Sequence, residues 1–131
     1  MIKTFVAFAL GFSLMSAPLA AQDAPAPDAA PGLEDLSLEQ RTGLRCAVAF
    51  GLIAKGQADG DPRAQAYPPL AERGREFFVR TMARLMDDKG LSREQANKLA
   101  FDATLALASE PLETREKMMP GCLMLLDASG L

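Results

Sequence analysis

From Cys46 to Ala54 nine consecutive residues carry no charged side chain and no strong hydrogen-bonding group, and this run constrains the chain more than any other feature. It is far shorter than the roughly 18 apolar residues needed to cross a bilayer. Ser37 and Gln40 stand upstream of it at capping-box spacing, which places a helix start there and carries the helix to about Gln57. A helix that is apolar on every face must be enclosed by other elements. The spacing therefore predicts a central helix wrapped by further helices. Gly51 inside it is expected to let a neighbour approach closely, at some loss of helix propensity.

The residues downstream read as the enclosing layer. Gly56 to Tyr67 is rich in Gly, Asp and Pro and has no apolar repeat, so it is expected to be a loop. Pro68 and Pro69 are expected to open a second helix over roughly 69–88, because proline is tolerated in a first turn. Along it Leu70, Gly74, Phe77, Phe78, Thr81, Met82, Leu85 and Met86 recur at helical spacing, and Gly90 terminates it. Ser92 with Gln95 opens a third helix whose stripe is Ala96, Leu99, Ala100, Ala103 and Leu107. Phe101 and Leu105 lie off that stripe, so both sides of this helix are expected to be covered. Pro111 ends it, Glu113 to Met118 is expected to form a short helix, and Pro120 is expected to start the last one. No segment alternates with period two long enough for a strand. The fold class is all-α, a small orthogonal or bundle-like array of four to five helices.

The first residues point to export. Lys3 supplies a basic start, the twelve residues from Thr4 to Met15 are uncharged and mostly apolar, and Ala17, Ala20 and Ala21 are small. That pattern is a cleavable signal peptide over residues 1–21, with the cut after Ala21 or, as second choice, after Ala20. Residues 22–34 follow as a Pro- and Ala-rich disordered leader, of which Gln22 to Gly32 holds no aliphatic side chain larger than Ala, and 35–131 form the helical domain. After cleavage thirteen Lys and Arg face seventeen Asp and Glu, a net charge of about -4 that gives no basic surface for nucleic acid. No later run could span a membrane. In an exported chain an even cysteine count implies a bridge, and Cys46 and Cys122 are the only pair. The expected site is the periplasm or the medium.

The chemistry available is narrow. The chain has no histidine, which removes the commonest general base and transition-metal ligand. A calcium loop centred on Gly90 would put Leu85 and Ala96 where carboxylates are required, so no metal is expected there, and Asp59-Gly60-Asp61 reads as turn chemistry. Met82 and Met86 share a face with Phe78 and Leu85 and read as core rather than copper ligands. No catalytic residue and no cofactor is expected. Arg73, Arg80 and Arg84 occupy a narrow arc of the second helix and are candidates for contact with an anion or an acidic partner. Arg75 points toward the Met82 side, and Asp102 is its candidate partner in a buried ion pair.

Leu44-Arg45-Cys46, then Tyr67-Pro68-Pro69-Leu70, Gly74-Arg75-Glu76-Phe77-Phe78 and the segment around Cys122 resemble small exported helical proteins of α-proteobacteria. The resemblance covers 35–131 and implies no activity. By architecture alone the chain is also similar to small acid-stress chaperones of the bacterial periplasm, which are helical with one disulfide. The reading that follows is a non-enzymatic exported module that binds a protein or an apolar ligand. An acid-stress chaperone is the first alternative, and an enzyme or enzyme regulator using Arg73, Arg75 and carboxylates in a cleft is the second.

Overall fold

The computed structural model describes residues 30–131, and the signal peptide and leader expected before residue 30 lie outside the described residues. Five α-helices make up the domain: α1 (Leu38–Asp59), α2 (Pro62–Gln65), α3 (Arg73–Lys89), α4 (Arg93–Ser109) and α5 (Leu112–Ala128). A 3-10 turn over Leu33–Asp35 precedes them, with Leu33 packed on the core and Leu36 buried. The end of the expected leader is thus part of the domain. No helix among the described residues is long and apolar enough to cross a membrane.

The capping residues act as their chemistry requires. Ser37 Oγ accepts from Gln40 N at 3.1 Å while Gln40 Oε1 accepts from Ser37 N at 3.0 Å. Ser92 and Gln95 repeat the exchange at 3.2 and 2.8 Å at the start of α4. At each start the serine hydroxyl satisfies one of the helix's free N–H groups, that of the third helical residue, and the glutamine satisfies the N–H of the serine itself. Gly60 and Gly90 end α1 and α3 with φ of 78° and 64°, a left-handed conformation that a Cβ disfavours.

Around α1 the expected enclosure is present from Cys46 to Phe50, five consecutive buried residues. Its main neighbours are α3 and α4, which are joined by a short turn and touch each other, and α5 lies against α1 and α3. Cys46 and Cys122 are joined in a disulfide, with Cα atoms 5.2 Å apart, so the bridge ties the centre of α1 to α5. Phe50 and Phe77 meet edge to face with centroids 5.3 Å apart at the α1–α3 crossing.

Close approach happens elsewhere than at Gly51, which is exposed with nothing within 4 Å of the position of a Cβ. Gly74 on α3 is the contact residue, since a Cβ there would stand 2.8 Å from Phe50 Cβ. Gly51 lies on the open side of α1, while Ile53 and Ala54 beyond it still pack on the core.

Three helix boundaries differ from those the sequence predicts. The expected loop contains α2, which Asp61 opens by accepting from Arg63 N at 3.0 Å with Pro62 in the first turn. α3 begins at Arg73 rather than at Pro69, because the Gln57 side chain holds the preceding chain in turns. Gln57 Nε2 faces the carbonyls of Ala64, Tyr67 and Pro68 at 3.1, 3.2 and 2.9 Å, and Gln57 Oε1 accepts from Leu70 N at 3.1 Å. The two expected C-terminal helices are one, α5, with Pro120 in its interior. Proline cannot donate to the carbonyl four residues back, here Glu116, but both residues are exposed and water can reach that carbonyl.

Candidate functional site

The arginine arc proposed on α3 is dispersed among separate partners. Arg73 Nη2 donates to Asp127 at 2.7 Å and its Nε donates to the Leu131 main-chain oxygen at 2.8 Å, tying α3 to the chain after α5. Arg80 Nε donates to Glu76 Oε1 one turn earlier at 3.0 Å. Arg80 and Arg84 do share the wall of a cavity of about 440 Å³ with Gln40 and Gly43 of α1 and Leu125 of α5. Glu39 and Asp88 line it too, so it is a cavity of mixed sign rather than an anion site.

The Arg75–Asp102 pair does not form. Arg75 is exposed on α3, and Asp102 accepts from Lys98 at 2.6 Å within α4. No charged side chain among the described residues is fully buried. A long arginine stem can run outward to water from the edge of an apolar stripe, which removes the need for a buried counter-charge. Arg73 and Arg75 therefore do not converge on a shared cleft with carboxylates. Met82 is buried and Met86 half-buried in the core, as the stripe implies. Among the described residues no group of three or more His, Cys, Asp or Glu is placed to hold a metal.

A second cavity, of about 230 Å³, lies between α1, α2 and α5 and is built by two helical stripes. Ala49, Leu52, Ile53 and Gly56 supply one wall at spacings of three and four along α1, and Leu112, Arg115, Glu116 and Met119 supply the other along α5. Tyr67 from the segment after α2 and Leu107 from the end of α4 complete it. Met118 also lines it, and its Sδ lies 3.2 Å from Arg45 Nε on α1. Arg45 pairs in addition with Glu110 at the α4–α5 junction, which fixes the start of α5 against α1.

The walls are apolar and the polar groups few: Asp61, Arg63, Arg115 and Glu116. Asp61 is engaged in capping α2. Arg115 differs from the rest, because its Nε is buried and has no hydrogen-bond partner. A site of this kind can take up a small apolar molecule.

Sequence reasoning missed this groove. The α5 stripe Leu112, Arg115, Glu116 and Met119 has helical spacing, but dividing the segment at Pro120 hides it. The groove's floor at Gly56 and Ala64 depends on α2, whose four residues are too few to show a period. Gly56 is needed there, since a Cβ would stand 2.8 Å from Ala64 Cβ. No protein family, no curated protein and no solved structure matches the chain, so the site's own chemistry is what speaks for it.

Proposed function

We propose that the chain is an exported, non-enzymatic binding module that holds a small apolar ligand in the groove between α1, α2 and α5. The observation that carries this reading is the groove wall, in which Leu52, Ile53, Leu112, Met118 and Met119 face one concave space. Apolar side chains around a concavity gain from an apolar occupant by removing surface from water. Methionines adapt their shape to such an occupant at little cost. Export is supported by Lys3, the apolar run after it and the small residues before Ala21, and by the Cys46–Cys122 bridge, since disulfides persist in oxidising compartments such as the periplasm.

Tyr67 makes the test direct, because it lines the groove and is the only tyrosine of a chain without tryptophan. Titration with 1-octanol is expected to change Tyr67 emission saturably, and Leu112→Ser, on the partly exposed rim, to weaken that response. No saturable change would refute the reading.

A second reading rests on α4. Phe101 and Leu105, one turn apart, are 61% and 53% exposed, against the expectation that both would be covered. Such a pair offers an apolar contact to another protein, and it is where a chaperone-like activity would reside. Protection of an aggregating client at about pH 3 and at neutral pH, compared between the parent and F101S/L105S, tests it. Equal behaviour of the two chains, or no protection by either, eliminates this reading.

A further inference from the structure

We infer that the larger cavity, of about 440 Å³ between α1, α3 and α5, binds a short apolar peptide with both ends free, its carboxylate at Arg84 and its ammonium at Glu39. This site and the groove between α1, α2 and α5 share no lining residue, so neither depends on the other.

Four charged side chains line this cavity, Glu39 of α1 and Arg80, Arg84 and Asp88 of α3, and none of them pairs with another. Arg80 donates to Glu76, outside the lining, and Asp88 Oδ2 accepts from Gln40 Nε2 at 3.4 Å. Glu39 and Arg84 have neither an ion pair nor a side-chain hydrogen bond to any described residue. An anion and a cation thus stand unengaged on different helices around one space. Charges of opposite sign that are closed on each other attract little else, whereas charges held apart each attract a ligand group of the other sign.

A ligand of one sign is drawn to one of these groups and repelled by the other. A ligand with a charge of each sign at its two ends meets a partner at each. Between the charged walls the lining is apolar. Phe77 and Leu85, both buried, reach the cavity from α3, and Leu125 and Ala128 extend the surface from α5. Apolar side chains laid on that surface are removed from water together with it.

Span decides between a free amino acid and a peptide. α1 and α3 pack directly on each other, and the axes of packed helices lie roughly 8–10 Å apart. An amino acid holds its ammonium and carboxylate on one carbon, too close together to serve both helices. A peptide separates them by roughly 3.3–3.6 Å per residue, so two or three residues cover the interval. Thr81, which also lines the cavity, offers a hydroxyl to the peptide groups between the ends. A volume of about 440 Å³ falls within the roughly 300–1,000 Å³ usual for ligand sites.

Leucyl-leucine, its N-acetyl and its amide derivatives, and leucine are titrated separately into the full chain at about pH 6.5, where an α-amino group is protonated. Backbone amide shifts in nuclear magnetic resonance report the site, Gly43 for this cavity and Gly56 for the other groove. Leucyl-leucine is expected to shift Gly43 saturably, and to bind about threefold to fivefold more tightly than either blocked derivative, the factor a partly exposed ion pair supplies. Leucine is expected to bind more weakly than leucyl-leucine. Glu39 and Arg84 are exposed, so E39Q and R84Q are expected to fold as the parent does. E39Q is expected to erase the preference over the N-acetyl form and keep that over the amide, and R84Q to do the reverse. No saturable shift at Gly43, a response at Gly56 in its place, blocked forms that bind as tightly as the free peptide, or a preference that outlasts its own substitution overturns the inference. Leucine binding as tightly as leucyl-leucine overturns the assignment to a peptide.

Discussion

Glycines at two positions carry opposite meanings, which the surrounding packing alone distinguishes. At Gly74 a Cβ would stand 2.8 Å from Phe50 Cβ and 3.4 Å from Leu70 Cβ, both attached directly to helical or turn backbone that cannot swing away. Gly74→Ala is therefore expected to lower stability by about 1–3 kcal/mol, as overpacking of a core does. Gly51 has open space, so Gly51→Ala is expected to raise stability by about 0.5–1 kcal/mol through helix propensity and a less mobile unfolded chain. Denaturant unfolding of the two variants checks both signs, and equal effects would contradict the assignment of the α1–α3 contact to Gly74. The arginines teach a related lesson. Position on the helical wheel places Arg73, Arg75, Arg80 and Arg84 on α3, yet Arg73 takes Asp127, which only the tertiary fold brings near, while Arg80 takes Glu76 one turn earlier on its own helix.

Among the elements, α5 departs furthest from local expectation. Proline in a helix interior is about 3 kcal/mol less favourable than alanine, and a boundary at Pro120 is the reading that local propensity supports. The helix continues because Met119, Cys122 and Leu126 are buried on one face and the disulfide holds Cys122 against α1, while the carbonyl that loses its donor belongs to an exposed residue, Glu116. Restoring that donor with Pro120→Ala is expected to stabilise the domain by about 1–3 kcal/mol, seen as a higher melting temperature. A lower melting temperature would mean that the proline is needed for the path of α5. Helices α1 and α4 behave in the opposite way: their starts coincide with the Ser37–Gln40 and Ser92–Gln95 boxes, since a cap is a contact between residues three apart and depends on nothing distant.

At the scale of the molecule the bridge is the largest single constraint. Cys46 and Cys122 close a loop across a separation of 76 residues, and chain entropy makes such a loop worth about 4 kcal/mol. Reduction is expected to lower the unfolding free energy by about that amount, a large share of the roughly 5–15 kcal/mol typical of a domain. A loss below about 1 kcal/mol would show that helix packing alone holds α5. On the proposed export, a product beginning at Gln22 and lighter by two hydrogens than the dithiol form is expected, and its mass checks export and bridge together. The sequence by itself determined the helical class, the capped starts of α1 and α4, the stop at Gly90 and the pairing of the cysteines. These rest on contacts within one turn of chain, or on there being only one way to pair two cysteines. Only the tertiary structure decided that α5 runs through Pro120, that Phe101 and Leu105 stay uncovered, that Gln57 organises the turns before α3, and that an apolar groove opens between α1, α2 and α5. Each of those depends on which surfaces meet, and residues far apart in the chain choose their partners by packing, a relation that no local periodicity records.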